Sequence, residues 1–341
     1  MTFPMKILID GRVLKQKIMT GVQRYTKQLL EGFNRKGFHF DIAYPGENNR
    51  YFQHVWEHTI LPLRSGNYDL LFCPGNIGPV WKPRKVKMVV ALHDIASLVF
   101  TESYAYSFRT YYRFAIPSIM KISDKIITGS DSEKRNIAGR FPADGHKVIS
   151  IQNGIDRVFL NRHVSYSKDN YVLFVGSLNP RKNLKGVLQA FLKIAGRVPH
   201  KLLIAGPVEP IFRRDTYVNS DRIEFLDYIE DDVQLAGLYG KASLFIFPSF
   251  YEGSGLPPTE AMACGCPVLV SDTPALRERC AAAAAYCDPL SVDDISEKML
   301  KLLTDGQLRD NLINKGLDRA KQFSWDKTAN ETIRVFEEVS K

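Results

Sequence analysis

Cysteine is scarce in this chain and poorly spaced for a covalent or metal framework. The five present (Cys73, Cys264, Cys266, Cys280 and Cys287) make an odd count, with no CxxC pair and no histidines at zinc-ligand spacing. That argues against a disulfide scaffold or a zinc finger and points to a reducing, cytoplasmic setting in which all five are small buried hydrophobes. Long apolar runs are missing too. Stretches such as Tyr171–Val175 and Leu244–Phe247 fall far below the roughly 20 residues of a membrane-spanning helix. Met1–Asp10 carries no basic segment ahead of its apolar residues, so neither a span nor a signal peptide is expected. No G-x-G-x-x-G follows the opening strand, which removes a nicotinamide dehydrogenase. Asp-x-Asp occurs nowhere, so that pair of carboxylates is not offered to a divalent ion.

What is present suits two cores rather than one. The 341 residues are 45% hydrophobic and 24% charged, enough chain for two domains. Residues 1–160 hold 23 Lys+Arg against 13 Asp+Glu, whereas residues 161–341 hold 23 against 24, so the first half carries the whole excess behind the net charge of +9. That asymmetry admits nucleic acid, an acidic lipid surface or a phosphorylated molecule as partner, and solubility alone weighs equally.

Short apolar, β-rich runs alternate with helical patterns from end to end, the signature of βαβ units and parallel sheets. Lys6–Asp10, Phe38–Tyr44, Asp69–Cys73, Val86–Leu92, Lys125–Thr128 and Lys147–Ile151 are the strands expected in the first half. Tyr171–Val175, Lys201–Ala205, Arg222–Phe225, Leu244–Phe247 and Pro267–Val270 form a second series. The polar stretch Asn161–Asn170 reads as the linker, giving domains 1–163 and 164–324, with a last amphipathic helix at 325–340 crossing back onto the first. Two doubly wound, Rossmann-like α/β domains would face each other across a cleft, with site residues just after the strands.

The most informative segment is 248–268, which reads strand, glycine loop, helix, tight turn, strand. A proline at 257 or 258 suits a first helical turn. The amides of Gly255 and Leu256 and the helix's positive end can then face an anion, for which a diphosphate is the natural occupant. Glu252 falls in the loop and Glu260 in the first helical turn, so the two carboxylates should reach different ends of one elongated ligand. One can take both hydroxyls of a ribose, and the other can hold a sugar hydroxyl near developing positive charge.

A second cluster, Val175 to Leu184, follows the first strand of the second domain and is a cationic loop leading into a helix. Arg181 and Lys182 are placed to neutralise the diphosphate from across the cleft; the plainer reading is solvated loop charge. His93 ends a buried strand and stands open between a hydrogen-bonded loop histidine and a ligand contact. Thr20–Gly21 opens a helix whose glycine allows close backbone approach, although threonine and glycine are also common caps. Asp231–Asp232 reads as a helix-start acid pair, not a metal site. Tyr104–Phe114 mixes aromatics with arginines, as a lipid headgroup surface or an acceptor contact would, and one face of it packing inward explains it as well.

Together these segments resemble the family 4 retaining glycosyltransferases, and bacterial O-antigen and capsule mannosyltransferases among them: 252–260 looks like their Glu-x7-Glu signature, and the likeness covers most of the chain. The resemblance implies a GT-B fold and a sugar transferred from a nucleotide-diphosphate donor without metal or other cofactor. It implies that Glu252 contacts the donor sugar, that Glu260 holds the ribose, and that Lys182 holds phosphate. Gly253, Ser254, Gly255 and Leu256 line the phosphate loop, Gly21 belongs to the family's N-terminal glycine loop, Gly176 in the cationic loop contacts the donor, and the loop backbone at Tyr228 and Ile229 pairs with the base. His93 then lies beside the donor sugar. Two features depart from the family pattern: Ser177 stands where many relatives carry arginine, with Arg181 as its replacement, and Gly21 stands alone where two glycines are common. The Pro-Arg-Lys-Asn loop favours GDP-mannose over a UDP sugar. The acceptor would be a glycan or polyprenyl-linked oligosaccharide, handled in the cytoplasm at the inner face of an anionic membrane. A non-catalytic sugar- or nucleotide-binding protein is the competing class. Neither it nor nucleic-acid binding explains two separated glutamates beside a cationic loop.

Overall fold

The computed structural model describes residues 5–16, 19–46, 50–160, 168–207 and 220–341, with the side chains of 50 and 51 left aside. The chain divides into two compact units. One runs to Gly154 and takes in Ser324–Lys341; the other is Ile155–Phe323. The division falls before the polar stretch read as a linker because Ile155 and Phe159 are buried in the second unit's core. Residues 161–167 of that stretch lie outside the described residues, and Asp169 and Asn170 already belong to a strand.

Each unit is built on a six-stranded parallel sheet. The first holds β1 (Ile7–Asp10), β2 (Asp41–Ala43), β3 (Leu70–Cys73), β4 (Lys87–Ala91), β5 (Lys125–Thr128) and β6 (Val148–Ser150), in the order β2-β1-β3-β4-β5-β6. The second holds β7 (Asp169–Val175), β8 (Lys201–Ala205), β9 (Ile223–Leu226), β10 (Ala242–Phe247), β11 (Val268–Ser271) and β12 (Ala285–Cys287). Its order, β9-β8-β7-β10-β11-β12, reverses direction between β7 and β10. That is the doubly wound arrangement of nucleotide-binding sheets, whose ligands sit beyond the strand ends where the order reverses. The corresponding reversal in the first sheet lies between β1 and β3.

The strands are apolar on both faces because helices cover both. In β7, Tyr171 and Leu173 enter one core and Val172 and Phe174 the other; in β10, Phe245 and Phe247 face the first and Leu244 and Ile246 the second. Period-two alternation therefore feeds two layers at once and leaves no polar face. β12 was not among the expected strands. It follows an alanine-rich 3-10 turn, Ala281–Ala283, and is only three residues long. The five cysteines are free and buried.

The terminal helix, Trp325–Val339, belongs to the first unit. Its Phe336 packs on Phe72 and Phe33, Thr328 Oγ1 donates to the Gln152 carbonyl (2.8 Å), and Asp326 pairs with Arg35 (2.8 Å). Gly154 is needed for this return, since a Cβ there would stand 2.2 Å from the Trp325 nitrogen.

Candidate active site

In the second unit, the loops after β7 and β10 meet at the sheet's reversal. Gly176 leaves β7 with its N–H on the Ala205 carbonyl (3.0 Å). After a 3-10 turn, Pro180–Lys182, the chain reverses at Asn183, which adopts a left-handed backbone (φ 57) and caps helix Leu184–Ile194 through Gly186 N–H. The Asn183 amide also donates to the carbonyls of Pro248 (3.2 Å) and Pro289 (2.7 Å), tying this loop to the loops after β10 and β12.

Arg181 and Lys182 are thereby delivered onto the glycine loop itself. Arg181 Nη1 donates to the Tyr251 carbonyl (2.5 Å) and lies 3.4 Å from Glu252 Oε1, while Lys182 Nζ donates to the same Oε1 at 2.6 Å and sits 4.7 Å from the centre of the Phe247 ring. The cations and the glycine loop were expected on opposite walls of a cleft. Both belong to one unit and are in direct contact, because the two loops leave adjacent strands. All three charged side chains are buried. Burial alone would push the Glu252 carboxyl up, but Lys182 and Arg181 outweigh it and hold it below the usual range.

Gly255 precedes helix Leu256–Ala263 with φ 74, and a Cβ there would stand 2.6 Å from Leu276 Cδ2. Pro257 and Pro258 occupy the first turn, where a missing N–H costs nothing. With Leu256 as the first helical residue, Glu260 falls in the second turn and not the first, and it is buried where the Tyr239 hydroxyl donates to it (3.3 Å). Arg279, buried behind this helix, is lowered to about 9 by desolvation and donates to Thr259 Oγ1 (3.1 Å). Gly253 and Ser254 complete the loop. Tyr228 and Ile229 follow β9, half-buried, just before Asp231 caps helix Asp232–Lys241.

In the first unit, Gly21 is the first residue of helix Gly21–Arg35 and is exposed, behind a Thr20–Gln23 capping box. His93 follows β4. Its Nε2 donates to the Pro74 carbonyl (2.9 Å) and its backbone N–H to Asn76 Oδ1 (2.8 Å), with the ring edge-on to Tyr25. Burial lowers its pKa, so it is neutral at physiological pH with Nδ1 as acceptor. Within Tyr104–Phe114, Tyr104, Phe108 and Tyr112 stack in a row with Tyr112 buried, whereas Tyr106 and Phe114 are exposed. A cluster at the end of β1 escaped the sequence reading: Asp10, Arg12 and Glu57, all buried, with Arg12 Nη2 3.2 Å from Glu57 Oε1. Arg12 and Glu57 are 45 positions apart, and only the fold reveals the pair.

Among the described residues, no group of three or more His, Cys, Asp or Glu side chains could hold a metal ion, and no helix is long and apolar enough to cross a membrane.

The family model for glycosyl transferases group 1 matches residues 157–319, the second unit almost end to end. The chain is 29% identical over 272 residues to the O-antigen chain mannosyltransferase B of Escherichia coli, covering 74% of this chain and 71% of that protein. It is also 29% identical over 272 residues to the serotype-specific mannosyltransferase WbdA of Escherichia coli, spanning 73% of this chain but only 33% of that longer protein. Among solved structures, sucrose-phosphate synthase from Thermosynechococcus elongatus superposes with a TM-score of 0.79 at 18% identity, over 98% of this chain and 99% of that one. WaaG, a glycosyltransferase involved in lipopolysaccharide biosynthesis, superposes with a TM-score of 0.75 at 15% identity, over 96% and 99%. With residues 157–319 a group 1 glycosyl transferase domain and both sheets those of a GT-B fold, the chain is a glycosyltransferase.

Proposed function

We propose that the chain is a retaining, metal-independent mannosyltransferase that takes GDP-mannose as donor and a glycan or polyprenyl-linked oligosaccharide as acceptor in surface-polysaccharide synthesis. One observation carries the reading: two buried cations, a buried carboxylate and a helix N-terminus behind a left-handed glycine converge where the second sheet reverses. The mannosyltransferase relatives support the choice of sugar.

In the free protein Glu252 pairs with Lys182 and lies beside Arg181. A donor diphosphate would take over part of that positive charge, and the amides at Gly255 and Leu256 would face its oxygens. The cations then stabilise the departing nucleoside diphosphate. Glu252, released from full pairing, holds the sugar and faces the positive charge that develops at its anomeric carbon, while the acceptor hydroxyl enters on the same face and gives its proton to the departing phosphate oxygen. Glu260 takes the ribose, the backbone at Tyr228 and Ile229 takes the base, and neutral His93 accepts from a sugar hydroxyl through Nδ1. Fixed cations do the work a divalent ion would otherwise do.

Thermal-shift titration with GDP, UDP and ADP in chelator tests this. GDP should stabilise the protein by about 2.7 kcal/mol at a hundredfold excess over Kd, and Lys182→Ala should weaken GDP by at least about tenfold through one lost charge-assisted bond. Stabilisation that needs a divalent ion, or that ignores Lys182→Ala, would overturn the phosphate site. Preference for UDP would move the donor to a UDP sugar and leave the site standing.

The first unit is read as the face turned to an anionic membrane. Helix Arg50–Ser65 exposes Phe52, Val55, Ile60 and Leu63 along one stripe, and Trp81, exposed beside it, donates to the His58 carbonyl (2.7 Å).

A further inference from the structure

The turn Pro74–Asn76, which follows β3, holds His93 on one side. Pro74 and Asn76 supply the two acceptors already described, and Asn76 does so from a left-handed backbone (φ 73) with its own N–H on the Ala91 carbonyl (3.1 Å). On the other side the turn lies against Arg12. The Gly75 carbonyl accepts from Arg12 Nη2 (3.4 Å), and a Cβ on Gly75 would stand 2.6 Å from Val13 Cγ1 and 3.3 Å from Arg12 Nη2. Glycine is what lets the turn come this close.

Arg12 is in turn fixed from two elements. Its backbone N–H donates to Asp10 Oδ1 at the end of β1 (2.9 Å), and its guanidinium faces Glu57 from helix Arg50–Ser65. Glu57 is buried and also lies 3.2 Å from His54 Nδ1. Of the two acids, burial raises Asp10 to about 7, whereas at Glu57 Arg12 and His54 outweigh burial and hold the carboxyl low. Glu57, at 3.2 Å, is the nearer carboxylate to the guanidinium, and Asp10 Oδ2 lies 3.9 Å from Arg12 Nε. A buried ion pair gives little net stability, because desolvation offsets the attraction and apolar packing would serve as well. What apolar packing could not supply is a cation that pairs with a carboxylate on a helix and donates to a carbonyl of the turn at once.

We propose that Arg12 and Glu57 are positioning residues for His93: their pair holds the 74–76 turn in the register that keeps the imidazole proton on Nε2 and leaves Nδ1 as the acceptor. The consequence for turnover rests on His93 contacting the donor sugar; the positioning itself can be read with no donor present.

The experiment uses the full chain labelled with 15N-histidine, the His93 signals being assigned by their loss in His93→Asn. In the wild type, two-bond proton–nitrogen spectra should show one neutral tautomer, protonated at Nε2. The double variant Arg12→Met with Glu57→Gln removes both charges, and Asp10, already raised to about 7 by burial, can stay protonated without Arg12, so the fold should survive. In it His93 should become a mixture of tautomers, and kcat with GDP-mannose should fall by about tenfold while KM changes little, as expected when alignment and not binding is lost. Arg12→Lys, which keeps a cation opposite Glu57 but lacks the guanidinium fork, should shift the spectrum in the same direction by less, and it stands in should the double variant fail to fold. A folded variant that keeps the wild-type tautomer would overturn the proposal. If instead the tautomer changes as expected but His93→Asn transfers normally, the positioning stands and the sugar-contact reading fails.

Discussion

At Glu252 a single carboxylate oxygen, Oε1, faces both Lys182 and Arg181. Removing one partner of a buried ion pair costs more than the pair contributes, because the remaining charge is left without compensation. Glu252→Gln leaves two buried cations facing a neutral amide, so at neutral pH the variant should be destabilised by about 3 kcal/mol. Because the folded carboxyl sits below its ordinary 4.5, its contribution is present above that value and is lost as the pH falls through the folded pKa. The gap in Tm between wild type and Glu252→Gln should therefore be widest above about pH 5 and close as acid protonates Glu252. Melting curves from pH 3 to 7 that run parallel would show that the pair does not tune this carboxylate.

At the scale of elements, the helix Leu256–Ala263 is aimed by its entry. Gly255 is both left-handed and crowded by Leu276, whereas Gly37 is left-handed (φ 66) with nothing within 4 Å of where a Cβ would stand. Gly37→Ala should cost only backbone strain, about 1 kcal/mol. Gly255→Ala adds a steric clash and should cost about 2 kcal/mol or more, and GDP affinity should fall with it as the helix end turns away. Denaturant midpoints and GDP titrations of the two variants would measure this, and equal costs would mean that the loop gives way freely. Such a loop was readable in the sequence because glycine, proline and glutamate at fixed offsets each carry a local meaning. The strands were readable for a similar reason, since runs such as Val89–Val90–Ala91 have no polar face to expose. β12 was not, because an alanine-rich approach carries neither period. Glu260 was placed one turn early because the two prolines fit any position of a first turn, and the helix starts one residue before them. Arg12 and Glu57 gave no signal: each alone is an ordinary charge, and their meaning arises from long-range packing.

Across the whole molecule, charge and exposed apolar surface are unequally shared. Of the large apolar and aromatic side chains left exposed, Phe52, Val55, Ile60, Leu63, Trp81, Val99, Tyr106 and Phe114 all fall between residues 52 and 114, and exposed cations at Arg84, Lys85, Arg113 and Lys121 lie in the same part of the sequence. Helix Arg50–Ser65, with Phe52, Val55, Ile60 and Leu63, and helix Tyr106–Ile122, with Tyr106, Arg113, Phe114 and Lys121, are joined by His58 and Tyr111 (2.7 Å). Solubility alone would favour charge without exposed aromatics, whereas an anionic bilayer rewards both, each nearby Lys or Arg adding about 1 kcal/mol at the surface. The full chain should therefore float with vesicles containing anionic phospholipid, far less with neutral ones, and lose most of that binding in ~0.5 M salt, where the Debye length shrinks to a few ångströms. Leu63→Glu and Phe52→Glu should lower recovery with anionic vesicles. Equal recovery with neutral and anionic vesicles, unchanged by either substitution, would assign the first unit's positive charge to solubility or to a phosphorylated acceptor instead.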